Sequence, residues 1–311
     1  MKKLLLLIGL IALVAGAMAV TAFAQPEVII QHRINPHSQS PNRIGQAPTA
    51  GSTSATSPLL YHGGPLINTP TIYLIWYGNW NQTSGSDTPA GKQLVRDWAN
   101  GIGGSSYFQL NTSVNGVGGS KYTVSGNVAY GGDITDTGTK TRLSDSDISA
   151  IVDRNISPTK LPFNTNGVYF VITSSNIRKS GFCTQYCGWH TAGNLSVGHV
   201  RYSFIGNANR CLSSCAAQSV SPNGNAGVDG AISVLSHALE EATTDPDLNA
   251  WYDSSGGENA DKCAWTFGHN LTLSGGAYSN MSFGGHNWLI QRNLEYDGIG
   301  SWFCKVNHNQ S

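Results

Sequence analysis

The sequence carries little charge and no excess of either sign. Charged residues make up 12% of the 311 residues, and 18 basic residues are balanced by 18 acidic ones. A chain without a basic excess lacks the positive field that attracts phosphate backbones, so we expect no nucleic-acid partner. The sequence also has no phosphate-binding glycine loop and no Gly-x-Ser-x-Gly elbow. These absences argue against a nucleotide hydrolase and against an elbow-type serine hydrolase.

Long apolar runs are missing after residue 24, and the one run before it has the features of a signal peptide. Lys2 and Lys3 precede the apolar stretch 4–20, and Ala22-Phe23-Ala24 supplies the small residues of a cleavage site. We therefore predict a signal peptide over residues 1–24 and a secreted, extracellular mature chain with no membrane anchor. A retained anchor is the alternative interpretation.

Residues 25–57 contain much Pro, Ser and Gly and few apolar side chains. This composition is typical of a flexible linker or a pro-like segment, because it offers little surface for a core. We expect ordered structure to begin near Pro58 and to continue as one domain over residues 58–308.

Cysteine is absent from the first 182 residues. An even number in a secreted chain predicts disulfides, which the C-terminal half would carry. We expect Cys263 to pair with Cys304 and the other four to pair among themselves, while a zinc knuckle at the two Cys-x3-Cys pairs is the alternative. The six residues are Cys183, Cys187, Cys211, Cys215, Cys263 and Cys304.

Segments of strand and helix character alternate along the chain. This alternation predicts an α/β or α+β fold, with a mixed central β-sheet flanked by helices in a single domain. The expected strands are residues 71–77, 122–129, 167–173, 200–205 and 288–293. The expected helices are residues 89–102, 144–156 and 229–243, the last resembling the site helix of zincin metalloproteases.

The most informative residues lie on this last helix. His237 and Glu241 are four residues apart, so both side chains project from one face and could hold a zinc ion. Such a site needs a third protein ligand, and Asp261 or Glu258 in the following loop could supply it. A surface ion pair is the plainer alternative for a His-x3-Glu spacing.

Position 238 lacks the group that hydrolysis needs. In the zinc-protease pattern a Glu follows the first His and takes a proton from the metal-bound water. This chain has Ala238 there, and Glu240 lies about 200° around the helix from it, too far to substitute simply. The sequence therefore predicts a metal site at which hydrolysis is slow or lost, with no catalytic residue assigned.

Three further residues are candidates for the same pocket. His190 follows Cys187-Gly188-Trp189, and Asp245 and Trp251 follow the site helix. A hydrogen-bonded structural role is the alternative for His190. Four tryptophans in loop-like sequence could stack on sugar rings if exposed, or pack in the core: Trp80, Trp189, Trp251 and Trp302.

Several motifs resemble those of the Exordium family, also called the phosphate-induced protein 1 family. They occur in the family's order between about residues 58 and 304, at 61–66, 73–80, 182–190, 211–215, 227–230, 244–252 and 260–263. The resemblance implies a secreted protein, which in plants belongs to the extracellular matrix or apoplast, without a proven reaction. It also implies a His-Glu-x-x-Glu pattern, which His237 and Glu241 match and Ala238 does not. The predicted signal peptide resembles bacterial signal peptides more than plant ones, which predicts a bacterial member of the family.

Two functions follow as expectations. The first is a secreted Exordium-like protein that binds a cell-wall or matrix component, either an extracellular polysaccharide or a protein. The second is a Zn2+-dependent metallohydrolase of peptidase type, degenerate because Ala238 replaces the general base.

Overall fold

The structure, a computed structural model, describes residues 30–33 and 58–309. The predicted signal peptide and most of the predicted linker lie outside these residues. The strands are β1 Ile30–Arg33, β2 Leu60–Tyr61, β3 Thr71–Tyr77, β4 Ala129–Thr135, β5 Arg142–Leu143, β6 Gly167–Thr173, β7 Arg178–Lys179, β8 Tyr186–Leu195, β9 Gly198–Gly206, β10 Trp251–Tyr252, β11 Thr272–Ser274, β12 Ala277–Ser279, β13 Met281–Phe283, β14 His286–Trp288, β15 Asn293–Tyr296 and β16 Trp302–Lys305.

Helices connect and cover these strands. The α-helices are α1 Pro89–Gly101, α2 Asp145–Asn155, α3 Leu212–Cys215 and α4 Ala226–Thr244, and the 3-10 helices are Phe108–Val114, Val117–Gly119, Ala208–Arg210 and Asp261–Cys263. Within the described residues, none of the helices has both the length and the apolar character needed to cross a bilayer.

A mixed six-stranded sheet forms the centre, in the order β1-β8-β9-β6-β3-β4. The four strands from β9 to β4 run parallel, whereas β8 is antiparallel to β9 and β1 is antiparallel to β8. All seven residues of β6 and six of seven in β3 are buried, as expected for strands covered on both faces. The predicted mixed α/β fold is confirmed.

The helices lie on both faces of this sheet. α1 and α4 pack against each other, and the Trp98 indole donates a hydrogen bond to Ser236 Oγ at 3.0 Å. α2 packs against β6 and β9. The connections β3-α1-β4 and β4-α2-β6 cross the sheet in opposite directions, so right-handed crossovers put α1 and α2 on opposite faces. α4 therefore lies between α1 and the antiparallel edge of the sheet.

Part of the segment interpreted as a linker is a strand. Ile30–Arg33 pairs with β8 along the edge of the central sheet. An edge strand presents unpaired backbone groups, and these four residues satisfy some of them. Ordered structure therefore begins before Pro58.

Local sequence signals explain which elements were predicted correctly. α1 and α2 are confirmed, and the capping box between Ser144 and Asp147 starts α2. α4 is also confirmed; it begins earlier than expected, and Asn225 caps it. Asp229 accepts hydrogen bonds from Ser221 and Asn223.

Two predicted strands are displaced. The strand expected at 122–129 starts at Ala129 and continues through Gly131-Gly132 to Thr135. A Cβ at Gly131 would meet the Tyr73 ring at 2.3 Å, so this glycine permits close packing inside a strand. The strand expected at 288–293 is interrupted, because the Asn280 side chain bonds both the N–H and the carbonyl of Ile290.

The disulfides are Cys183–Cys211, Cys187–Cys215 and Cys263–Cys304, with Cα–Cα distances of 5.8, 5.4 and 5.4 Å. The predicted pairing of Cys263 with Cys304 is confirmed. The zinc-knuckle alternative is wrong, because all six sulfurs are consumed in disulfides. Two of the bridges fasten the start of β8 to the segment around α3.

Asp133 should make the fold sensitive to acid. Burial would raise its pKa, but hydrogen bonds from Arg96, Tyr130 and Trp76 hold the pKa at about 2. A depressed carboxyl pKa contributes stability that is present above about pH 4 and lost as the pH falls towards 2. Because the ion pair is partly exposed, we expect Asp133→Asn to lower the free energy of unfolding by about 1 kcal/mol at pH 6.

The measurement is urea unfolding at several pH values. The difference between the two proteins should shrink as the pH falls from 4 towards 2, where Asp133 is about half protonated in the folded state. A difference that stays constant with pH would contradict the assignment.

Candidate metal centre

α4 is buried along nearly its whole length, and this burial brings its polar residues inside the protein. Asn225 begins the helix by accepting a hydrogen bond from the Val228 N–H, and Asp245 ends it. Between them, His237 is 1% exposed and Glu241 is 0% exposed. A buried charge needs a partner, because removing it from water costs several kcal/mol. The surface-pair alternative for His237 and Glu241 is therefore wrong.

The first cluster of side chains contains the pair predicted from spacing. His237 Nε2 lies 2.8 Å from Glu241 Oε1 and 3.5 Å from Asp261 Oδ1. Asp261 comes from the 3-10 helix Asp261–Cys263, and its N–H donates to Glu241 Oε1 at 3.1 Å. Asp261 keeps 25% of its side chain exposed.

The second cluster uses the other oxygen of the same glutamate. His190 Nε2 lies 3.5 Å from Glu241 Oε2 and 3.3 Å from Glu258 Oε2. His190 comes from β8, and both it and Glu258 are 1% exposed. The Glu258 N–H donates to Asp261 Oδ2 at 3.2 Å, which joins the two clusters. Glu241 therefore lies between two histidines, one on each side.

The charges in this region are not balanced. Burial would lower the pKa of His237, but the carboxylates of Glu241 and Asp261 raise it to about 10. Burial, with repulsion from Glu241 and Asp245, raises the pKa of Glu258 well above its usual range. Both shifts have the same meaning: the region favours added positive charge.

The spacing of the candidate ligand atoms suits a metal ion. Tetrahedral zinc with bonds of about 2.0–2.1 Å holds its ligand atoms about 3.3 Å apart. Three of the separations between histidine and carboxylate atoms are 3.3–3.5 Å. Two sets of three residues each offer atoms within 4.8 Å of one another: His190, Glu241 and Glu258, and His237, Glu241 and Asp261. All four residues named as ligands from the sequence are present, and His190 joins them.

The sequence of this chain has counterparts among known proteins. The phosphate-induced protein 1 conserved region matches residues 59–282, more than half of the chain. The chain belongs to the phosphate-induced protein 1 family. The resemblance inferred from the motifs is confirmed at this level.

The relatives are plant proteins. Protein EXORDIUM-like 3 of Arabidopsis thaliana is 30% identical over 265 residues, covering 74% of this chain and 74% of the relative. Protein EXORDIUM-like 5 of the same plant is 30% identical over 225 residues, 62% of this chain and 59% of the relative. Protein EXORDIUM of the same plant is 23% identical over 290 residues, covering 75% of this chain and 84% of the relative. No solved structure matches significantly. A bacterial origin stays a prediction.

The side chains of Ala238 and Glu240 contact residues outside the two clusters of histidines and carboxylates. Ala238 is 0% exposed and packs in the apolar core. Glu240 Oε2 accepts hydrogen bonds from the side-chain amides of Asn111 and Asn293, the latter at 2.8 Å. Burial raises the pKa of Glu240 well above its usual range. Glu240 is therefore held in an amide network of its own.

Asp245 and Trp251 were named as candidates for the pocket. In the structure Asp245 forms hydrogen bonds at the end of α4, and Trp251 packs against other aromatic rings. Asp245 Oδ1 accepts hydrogen bonds from the N–H groups of Asn249 and Ala250, both at 2.6 Å, and so closes the end of α4. Burial raises the pKa of Asp245 to about 6. Trp251 lies 5.4 Å from the ring of Tyr61 and 5.7 Å from that of Trp302.

The four tryptophans that could stack on sugar rings if exposed are buried. Trp80, Trp189 and Trp251 are 0–2% exposed, and Trp302 is 7% exposed. These four residues pack in the core, as the other interpretation predicted.

Sequence reasoning named His190 as a candidate for the pocket but missed its contacts with Glu241 and Glu258, and it missed the amide network. β8 was not predicted, so the alternation that points Gly188 and His190 towards α4 could not be used. A Cβ at Gly188 would meet Val234 of α4 at 2.8 Å, which places this face of β8 on the helix. Asn111 and Asn293 carry no spacing signal, because 182 residues separate them.

The amide network makes Asn111 sensitive to charge. Asn111→Asp removes a donor to Glu240 and puts a second carboxyl beside it in the interior. We expect the free energy of unfolding at pH 7 to fall by about 3 kcal/mol or more, measured by chemical denaturation. Adding Glu240→Gln to that variant restores a donor and should recover much of the loss. A double variant no more stable than Asn111→Asp alone would show that the pair is not coupled.

Proposed function

We propose that the protein is a secreted, extracellular zinc-binding member of its family, and that Glu241 holds the metal. The observation that carries the proposal is the position of Glu241 between two histidines, with His237 Nε2 2.8 Å from its Oε1 and His190 Nε2 3.5 Å from its Oε2. When bound, zinc would supply the positive charge that the buried carboxylates favour. His237 or His190 would contribute an imidazole, and Asp261 or Glu258 a second carboxylate.

The donor set favours zinc over the common hard cations. Ca2+ and Mg2+ are bound through oxygen, whereas each candidate set here contains one imidazole nitrogen and two carboxylates. Three protein ligands with nitrogen and oxygen atoms, beside one open position, form the ligand pattern of catalytic zinc sites. The ligands also come from elements that hold them rigidly, because Cys187 lies three residues before His190 and Cys263 two residues after Asp261, both in disulfides.

The surroundings do not favour hydrolysis. A metallopeptidase needs a general base beside the metal-bound water and access for its substrate. Ala238 offers no proton acceptor, and His190, Glu241 and Glu258 are each at most 1% exposed. We therefore propose a binding or structural role for the metal, with the peptidase architecture retained and its chemistry lost.

Secretion is supported by the three disulfides, since such bridges persist in oxidising compartments. The predicted signal peptide points the same way.

A matrix polysaccharide is a second proposal, and a surface groove favours it. The groove has a volume of about 280 Å³ and is lined almost wholly by uncharged polar side chains: Ser106, Asn270, Thr272, Ser279, Asn280, Met281, Ser282, Asn287 and Asn307. Amides and hydroxyls form hydrogen bonds with neutral sugar hydroxyls. Because the tryptophans are buried, binding would rely on these groups and not on ring stacking.

Metal content tests the zinc proposal. We expect the purified protein to contain about one zinc per chain, and Glu241→Gln to lose it, because both candidate ligand sets include Glu241. Elemental analysis gives the content, and thermal unfolding with and without chelator gives the stabilisation. We expect chelator to lower the melting temperature of the wild type only.

Glu240→Gln is the matched control. It makes the same chemical change one residue away on the same helix, but Glu240 belongs to neither ligand set. It should keep the metal. A metal-free wild type whose melting temperature ignores zinc and chelator would overturn the proposal, and zinc-dependent peptide hydrolysis by the wild type would overturn its non-hydrolytic part.

Retention on insoluble cell-wall polysaccharide tests the second proposal. Replacing Thr272 and Asn307 by lysine would fill the groove, and we expect retention to fall at least about fivefold because the hydrogen-bonding surface is covered. The control replaces Thr139 and Thr159, which are exposed and outside the groove, in the same way. Absence of retention for the wild type, or an equal loss in both variants, would contradict the groove as a glycan site.

A further inference from the structure

The two oxygens of Glu241 lie beside two different pairs of side chains. Oε1 is 2.8 Å from His237 Nε2 and accepts a hydrogen bond from the Asp261 N–H at 3.1 Å. Oε2 is 3.5 Å from His190 Nε2, which is 3.3 Å from Glu258 Oε2. We call His237 and Asp261 the outer pair, because Asp261 is 25% exposed, and His190 and Glu258 the inner pair, because both are 1% exposed. Neither candidate ligand set contains both histidines, so the geometry has to decide which pair shares an ion with Glu241.

The contact between the outer pair and Glu241 is too short for a shared ion. The 2.8 Å between His237 Nε2 and Glu241 Oε1 lies within the usual range of hydrogen bonds. An ion with bonds of about 2.05 Å to both atoms would need an angle of about 86° between them, far below the tetrahedral angle of about 109°. The 3.5 Å between His237 and Asp261 would suit an ion, so the short contact with Glu241 decides against this set.

The separations at the inner pair match those around a tetrahedral ion. The distances from His190 Nε2, 3.3 Å to Glu258 and 3.5 Å to Glu241, both exceed the usual length of an N–H···O hydrogen bond. With the same bond length of about 2.05 Å they correspond to angles of about 107° and about 117°. The third separation, between the two glutamates, is also within 4.8 Å. The inner set therefore accepts the ion without movement of either histidine contact.

Glu258 provides an independent observation. Its Oε2 is buried and accepts no hydrogen bond from the residues that the structure describes. The carboxyl groups of Glu241, Asp245 and Asp261 surround it with negative charge. A buried carboxylate oxygen without a donor is costly, and a cation next to it removes that cost. Asp261 differs, because its Oδ2 already accepts the Glu258 N–H at 3.2 Å.

We infer that the zinc ion binds to the inner set, His190, Glu241 and Glu258, and that His237 is a positioning residue that orients the glutamate through its other oxygen. The inference rests on the proposed zinc binding and assigns its ligands. The residue that begins the protease-like pattern on α4 is then not a metal ligand. The ion instead joins β8 to α4 and to the loop that precedes the 3-10 helix Asp261–Cys263, as a buried clamp between the sheet and the helix.

Matched substitutions in the two pairs test the assignment through zinc affinity. His190→Ala and His237→Ala each remove one imidazole, and Glu258→Gln and Asp261→Asn each turn one carboxylate into an amide of the same size. We expect the two inner variants to weaken zinc binding at least about 1,000-fold, because each loses a ligand. The two outer variants should weaken it about 10- to 100-fold, as residues that orient a ligand do. Competition with a coloured chelator gives the affinities, and near-ultraviolet circular dichroism checks the fold of each variant.

Nuclear magnetic resonance of the unaltered protein gives an answer that does not depend on how the variants fold. With cadmium-113 in place of zinc, spin coupling through the metal–nitrogen bond identifies the coordinating imidazole. We expect this coupling at a ring nitrogen of His190 and none at His237. Zinc itself should change the ring nitrogen shifts of His190 strongly and those of His237 weakly, because only a coordinated nitrogen exchanges its proton for the metal.

The outcomes separate this inference from the proposal beneath it. Coupling at His237, coupling at both histidines, or a loss of affinity in the outer variants equal to or larger than in the inner ones would overturn the inference and leave zinc binding standing. A wild type that binds neither zinc nor cadmium would overturn the proposed function, and the inference with it.

Discussion

The buried carboxylate of Glu241 is the constraint around which this part of the molecule is arranged. A carboxylate in the interior costs several kcal/mol unless other groups neutralise it. Here two histidines from separate elements approach its two oxygens, and the Asp261 N–H donates to one of them. The remaining acids, Glu258 and Asp261, then add negative charge where it is already in excess. Such a region is stable only with added positive charge, supplied either by protons or by a metal ion.

The scaffold explains how residues far apart in sequence reach this carboxylate. Helix α4 is rigid and buried, whereas the segments that bring His190 and Asp261 are bounded by turns and irregular structure. The disulfides at Cys187 and Cys263 fasten both segments close to the ligand residues. A disulfide restricts the unfolded chain most where it closes a long loop, as Cys263–Cys304 does with a separation of 41 residues. The bridges therefore serve the geometry of the centre as well as stability.

Strong local patterns were predictable, and long-range ones were not. The apolar runs of β3 and β6 and the capping box of α2 determine their structures locally, and spacing alone placed His237 and Glu241 on one face. β8 escaped prediction because Gly188, Gly193 and Asn194 interrupt its pattern, although pairing on both sides stabilises it. Without β8, the direction of His190 was unknowable. The side chain of Asn280 likewise interrupts a predicted strand, because it forms a hydrogen bond with Ile290. A contact of this kind leaves no periodic pattern in the sequence.

Burial determines which groups in this region can be reached from outside the protein. Of the five residues that could coordinate metal, four are buried and Asp261 keeps 25% of its side chain exposed. Ala238 packs in the core, and Glu240 is engaged by Asn111 and Asn293. A substrate has no evident approach to Glu241 in this arrangement. On the other side of His190, the backbone of β8 is paired with Ile30–Arg33. The acidic side chains of this region are therefore satisfied from inside the protein, by the two histidines and by the amides that engage Glu240.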